Sequence, residues 1–182
     1  TYETGFRTEL QPAREAIALQ ERKFWGGIIV NETADWELIL DPKQPRYVGH
    51  PTKELDAAWD MLVGNYVALS EAEASTVHGQ HSKENGYYFV VPHVRHTLHC
   101  VNYLRKALYP KYYPTLRHES RERVPDYYTH VDHCLETIRE TVQCNQDMTP
   151  VPHYWSEEKG MFLANTMLTH TCRDFVKLLE WQ

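Results

Sequence analysis

The chain has 182 residues, 19 basic against 25 acidic side chains for a formal charge of −6, and four cysteines. That length can bury a full hydrophobic core with neither metal nor disulfide obligatory, so the expectation is a single domain over residues 1–182, with 1–44 the portion least tied to the motifs below. No cluster of Lys and Arg could track a phosphate backbone, which argues against nucleic acid as a partner, and no apolar run approaches the roughly 18 residues of a membrane span.

In chain order, Pro12 with Ala13, Ala16, Ile17 and Phe24 at helical spacing predicts a helix over 12–25, ended by Gly26-Gly27. Residues 28–30 and 36–40 read as short strands, and three prolines make 41–51 an extended loop. Thr52 is an N-cap for a helix running to Gly64, with Leu55, Trp59, Leu62 and Val63 inward. The polar segment 70–86 is expected to be a mobile loop holding one helical turn, and 87–91 a buried strand. Pro92 opens a helix to about Tyr109 with Leu98, Val101, Leu104 and Leu108 as its core stripe. After a charged connection over 117–123, Pro125-Asp126 starts a second helix to about 143, with Val131, Leu135, Ile138 and Val142 inward. The tail 145–160 reads as irregular, and Thr169 as the cap of a last helix through Trp181. The fold class expected is mainly α: one domain with two packed motif helices, additional helices and two or three short strands.

The two helices around 92–109 and 126–143 each carry the pattern H-x-x-H-C-[VL]-x-x-[LI]-R, at His96 to Arg105 and at His130 to Arg139. Two His three apart project from one helix face with about 5–6 Å between their β-carbons, the geometry a metal ion needs. If the helices pack side by side, His96, His99, His130 and His133 surround one or two ions and leave a position open. Imidazole donors suit copper best along the divalent series, with zinc or iron as alternatives. The pair of decapeptides acting together is then the catalytic unit. Of the 11 His in the chain, His93, His153 and His170 are further candidate ligands, though each also reads as an ordinary surface His.

Cys100 and Cys134 flank the His face and serve either as thiolate ligands or as disulfide partners. A Cys134–Cys144 bridge is excluded while both lie on one helix, since ten residues of rise separate them by about 15 Å against a limit near 7 Å. In an oxidising compartment, Cys100–Cys134 with Cys144–Cys172 is the favoured pairing. The even cysteine count and the Asn31-Glu32-Thr33 sequon, with Asn31 a glycosylation candidate, lean toward a secretory lumen. Because the chain begins at Thr1, a preceding tag, signal peptide or membrane anchor is expected. Arg105 and Arg139 form salt bridges to Glu119, Glu122 or Asp126, or hold a substrate carboxylate. Glu136 accepts an imidazole N–H or faces solvent, and Tyr127, in one of three Tyr-Tyr pairs, lines a pocket or relays an electron.

These residues resemble the UstYa-like proteins of fungal natural-product pathways. Beyond the doubled motif, residues 51–59 are similar to that family's Asp/Trp helix start, Cys134 through Cys144 and Asp147 to its second motif, and His170 to Asp174 to its C-terminal segment, so the resemblance covers about 45–182. It implies a copper-dependent oxidative tailoring enzyme that uses O₂ on a peptide or small natural-product substrate, with cyclisation, hydroxylation, desaturation or halogenation as outcomes. It also implies a membrane-spanning helix ahead of this domain, and leaves a second copy of the chain or another pathway enzyme as partners. The rivals are a structural zinc module that binds a partner and a metal-independent cyclase using the His as acids and bases.

Overall fold

In the computed structural model, which describes residues 1–77, 79, 82–117 and 125–181, nine short strands share the described chain with five α-helices. The mainly α expectation is therefore corrected to a mixed α/β fold. The strands at 28–30, 36–38 and 87–90 were expected; the other six carry little local signal, because they are two to five residues long and pair in small antiparallel sheets. The residues fall into two compact units: Pro45–Leu69 with Ser82–Asp147, and Thr1–Gln44 with Ser70–His81 and Met148–Gln182.

In the first unit the local signals decide the helices. Thr52 is extended and its Oγ1 accepts from the Leu55 amide at 3.2 Å, capping α1 (Lys53–Val63), which turns Leu55 and Trp59 into the core. Gly64 ends α1 at φ +62°, and its missing Cβ is also a matter of space: a Cβ there would lie 1.2 Å from Nη1 of Arg95. That buried guanidinium donates to the Val63 carbonyl at 3.1 Å, satisfying one of the orphan acceptors of the helix end. Strands β4 (Val67–Leu69), β5 (Lys83–Glu84) and β6 (Tyr87–Val90) form an antiparallel sheet in the order β4-β6-β5. Asn85 and Gly86, both at positive φ, make the two-residue turn between β5 and β6, where the sequence reading expected only a loop.

The two motif helices follow. Pro92 precedes α3 (His93–Ala107), and Asp126 caps α4 (Tyr127–Asn145) by accepting from the Tyr128 and Thr129 amides at 3.1 and 3.3 Å. Their shared core is Cys100, Tyr103 and Cys134, with Leu104, Leu116, Val131 and Ile138 packed around it. The expected aliphatic stripes need correction, since Leu108, Leu135 and Val142 are exposed. The face carrying His, Cys and Tyr is the one that meets the partner helix, so three of the eight stripe positions turn outward.

The second unit holds most of the strands. β1 (Leu19–Lys23) pairs with β9 (Thr169–Arg173), replacing the expected helix over 12–25 and the expected Thr169 cap. Only Gln11–Ala16 is helical there, as a 3-10 turn begun by Pro12. Leu19 to Lys23 has no strong period of its own, so its partner strand, from the other end of the chain, decides its conformation. The two expected strands β2 (Ile28–Val30) and β3 (Trp36–Leu38) are present, and they pair antiparallel. β7 (His153–Ser156) and β8 (Met161–Ala164) form another, where an irregular tail was expected. A four-residue helix, α2 (Glu71–Ala74), carries a capping box between Ser70 and Glu73, and α5 (Phe175–Trp181) is a shortened version of the expected last helix. No helix among the described residues is long and apolar enough to cross a membrane.

Candidate metal centre

The two copies of the motif meet. His96 faces His133 with ring centroids 5.3 Å apart, and His99 faces His130 at 5.8 Å, so the first His of each copy stands opposite the second of the other. That register is the signature of two helices packed antiparallel, and it gathers all four imidazoles into one cluster with 6.2–6.3 Å between the rings of each copy. Nε2 of His96 and Nε2 of His133 approach to 3.4 Å. Two nitrogens on one ion at bond lengths of about 2.0–2.1 Å and a tetrahedral angle stand roughly 3.3–3.4 Å apart, so this pair is spaced for a shared ion. The residues present therefore fit a metal with imidazole ligands.

The electrostatics favour the ligand form. His96 and His99 are held below the usual imidazole range, first by burial and then by neighbouring rings, those of His133 and His99 for His96 and that of His130 for His99. A neutral imidazole is the form that donates a lone pair to a metal. Tyr103, six per cent exposed, lays its ring 3.9 Å from that of His130 and holds it against the helix seam. Cys100 and Cys134, both fully buried, are hydrogen-bonded to each other at the helix crossing, and the Cys134 thiol is pushed up to about 12 by burial and by that contact.

Among the other candidate residues, His93 sits at the rim: its Nε2 is 3.0 Å from Thr141 Oγ1, and its ring is 6.2 Å from that of His96. Arg105 is eight per cent exposed and bound on three sides, by Asp56 at 2.5 Å, Asn102 Oδ1 at 2.9 Å and Tyr113 Oη at 3.0 Å. Tyr113 also donates to Asp56 at 2.6 Å. Burial pushes Asp56 upward, but these hydrogen bonds and the Arg105 charge outweigh it and leave the carboxyl below its usual range. Arg105 is thus a structural tie between α1 and α3. Arg139, its counterpart in the second copy, lies on the exposed face of α4 with Glu136, Glu140 and Gln143. Of the expected salt-bridge partners, Glu119 and Glu122 lie outside the described residues, and Asp126 is the α4 cap.

Tyr127 lies 6.5 Å from Tyr103 ring to ring, under the Arg117 guanidinium. Cys144 is exposed near the end of α4, on the same helix as Cys134. His153, His170, Cys172 and Asn31 belong to the other unit. There His153 Nδ1 is 3.1 Å from the Val151 carbonyl oxygen, and His170 stacks on Phe24 at 3.8 Å. Asn31 Oδ1 accepts from the Thr33 and Asp35 amides in the β2–β3 turn.

The sequence reading missed Tyr103 and the Asp56–Tyr113 tie. Tyr103 was detectable, since at i+4 from His99 it shares the His face. The resemblance covers Asp56 within the Asp/Trp helix start, but its tie to Arg105 was not detectable, because that partner is 49 residues away in sequence.

A family model described as the mycotoxin biosynthesis protein UstYa matches residues 7–182. Among curated proteins, the chain is 34% identical over 197 residues to the UstYa family oxidase phomYd of Diaporthe leptostromiformis, covering 100% of this chain and 63% of that protein. It is 32% identical over 99 residues to the UstYa family oxidase aprY of Aspergillus flavus, covering 52% of this chain and 30% of that one. A protein named transacylase cctO, of Talaromyces islandicus, is 29% identical over 155 residues, covering 75% of this chain and 51% of its own length. The chain therefore spans less than two thirds of the length of these relatives. No solved structure matches.

Proposed function

The chain belongs to the UstYa family, and from that premise, together with the four imidazoles that α3 and α4 bring into one cluster, we propose that it is a copper-dependent oxidative tailoring enzyme of a fungal secondary-metabolite pathway. The observation that carries the reading is the 3.4 Å approach of the His96 and His133 Nε2 atoms, one from each copy of the motif. In this reading His96, His99, His130 and His133 hold copper, which when bound supplies one-electron chemistry toward O₂ and so the capacity to functionalise a substrate C–H bond.

The chain's own side chains do the rest. Partial burial and the neighbouring imidazoles lower the pKa of His96 and His99, which favours the neutral form that ligates. Tyr103 fixes the plane of His130, and Arg105 with Asp56 locks α3 to α1 so that the His face is presented in one register. Helix-borne ligands held this way are more rigid than loop-borne ones, which is what a site that must orient a substrate against an oxidant needs. The substrate class is a peptide or a small natural product, in keeping with the family, and cyclisation, hydroxylation, desaturation or halogenation are the outcomes that functionalising a C–H bond opens. A secretory lumen is the proposed setting, supported by the Asn31 sequon in its exposed-chain turn.

Metal analysis of the protein, with activity measured before and after chelation, tests the proposal. Copper that restores turnover to the chelated protein is expected. Stoichiometric zinc, with turnover indifferent to copper, would replace the oxidase with a structural zinc module.

A further inference from the structure

The imidazole cluster is not symmetric, although the motif is. His96 Nε2 or Nδ1, His133 and the Cys100 sulfur all lie within 4.8 Å of one another, the one such trio of His, Cys or acidic ligand atoms among the described residues. Cys100 follows His96 by four on α3, so both point along one face, while His133 reaches them from α4. In a tetrahedral set with a metal–nitrogen bond of about 2.0–2.1 Å and a metal–sulfur bond of about 2.3 Å, nitrogen and sulfur stand roughly 3.6 Å apart. The longest separation in the trio exceeds that by at most about 1.2 Å, a gap that a small rotation of a Cys or His side chain closes.

The copies differ where it matters. Tyr103, in the eighth position of the first copy, covers His130; the same position in the second copy is Thr137, too short to cover a ring in the same way. The His99–His130 half is thus packed under an aromatic ring, and the His96–His133 half is joined by a sulfur.

We propose that Cys100 is a metal ligand: its thiolate joins His96 and His133 as a two-nitrogen, one-sulfur set, leaving His99 and His130 as a separate imidazole pair. The inference rests on the copper reading above and deepens it. A thiolate is a soft donor and favours the reduced, monovalent state of copper relative to an all-imidazole site. Cys134, hydrogen-bonded to Cys100, then acts as a positioning residue for the ligand sulfur and does not bind the ion itself.

The competitor for the Cys100 sulfur is Cys134. Joining the two thiols into a disulfide would release two protons and pass two electrons to an oxidised dithiol or to O₂, and would take the sulfur out of the ligand set. The test loads the purified chain with cobalt(II) as an optical probe and with copper(I) for X-ray absorption, and compares wild type with Cys100→Ser and Cys134→Ser. A sulfur-to-cobalt charge-transfer band and a sulfur scatterer at about 2.3 Å are expected in wild type and in Cys134→Ser. Cys100→Ser is expected to lose the band and to bind metal at least tenfold more weakly. Wild type and Cys134→Ser decide the matter even if Cys100→Ser does not fold. Metal bound through nitrogen alone, or a Cys100–Cys134 disulfide in the loaded wild-type protein, overturns this inference and leaves the copper reading standing; failure to bind either metal overturns both.

Discussion

Replacing Asp56 by Ala should cost far more stability than any change at Arg139, although Arg105 and Arg139 fill the same position of the two motif copies. Arg105 is eight per cent exposed and Asp56 a quarter exposed, and the carboxylate takes hydrogen bonds from both the guanidinium and Tyr113. Removing one partner of a buried ion pair costs about 3–5 kcal/mol, because the other charge is left without compensation. Water reaches part of the Asp56 side, and Asn102 and Tyr113 still bind the guanidinium, so we reduce the figure to about 2–4 kcal/mol. For a chain of this length that is a fall of roughly 5–15 °C in melting temperature. Asp56→Asn, which keeps an acceptor but loses the charge, should fall between wild type and Asp56→Ala. Arg139→Ala, made on a solvent-exposed face, should leave the unfolding midpoint where it is. Urea titration followed by tryptophan fluorescence reads all three, since Trp59 packs near the Arg105 guanidinium. An Asp56→Ala midpoint within about 0.5 kcal/mol of wild type, or an Arg139→Ala loss as large as that of Asp56→Ala, would refute the reasoning.

Gly64→Ala should destabilise by about 3 kcal/mol or more, because φ +62° with ψ −159° is a region almost closed to residues with a Cβ, and the added carbon would displace the buried Arg95 guanidinium. An unaltered thermal melt would contradict that. Tyr103→Ala should cost about 3–5 kcal/mol by opening a cavity in the α3–α4 core, while Tyr103→Phe keeps the ring against His130 and most of the stability. Equal midpoints for the two variants would argue against ring packing as the reason. The pH dependence follows from the lowered values of His96 and His99. Between their folded values and about 6.5 the unfolded chain binds more protons, so stability is full above about 6.5 and declines as pH falls below it. Metal affinity should weaken in the same direction, beginning at a lower pH than for free imidazole, and a metal-binding titration that is flat down to pH of about 4 would argue against imidazole ligation.

Helices α1, α3 and α4 were legible in the sequence because their signals are local. Thr52, Pro92 and Asp126 start them, Gly64 ends α1, and periodic apolar residues run between. The strands β1 and β9 were not legible, since Leu19 to Lys23 takes its conformation from residues at the other end of the chain. The β5–β6 hairpin was legible in principle, through Asn85-Gly86, but Lys83-Glu84 is too short and polar to read as a strand unless the turn is recognised first.

At the site, the spacing of the His was enough to nominate all four. Which stands opposite which depends on α3 and α4 packing antiparallel, and no local pattern encodes that. Hydropathy pointed the Leu and Val positions inward, and it misjudged Leu108, Leu135 and Val142 because the buried seam is made of Cys100, Tyr103 and Cys134, residues that score as small or half-polar. Arg105 was expected to form a salt bridge and does, but with Asp56 of α1, a partner set by tertiary packing.

The central claim is that the α3–α4 imidazoles hold copper. Copper content and the electron paramagnetic resonance spectrum of the oxidised protein, measured for wild type and for the His96→Ala/His133→Ala double variant, test it most directly. The account predicts bound copper with nitrogen couplings from imidazole in wild type and loss of that signal in the double variant. Full copper occupancy in the double variant, or a wild-type protein that carries only zinc and gives no signal, would contradict it.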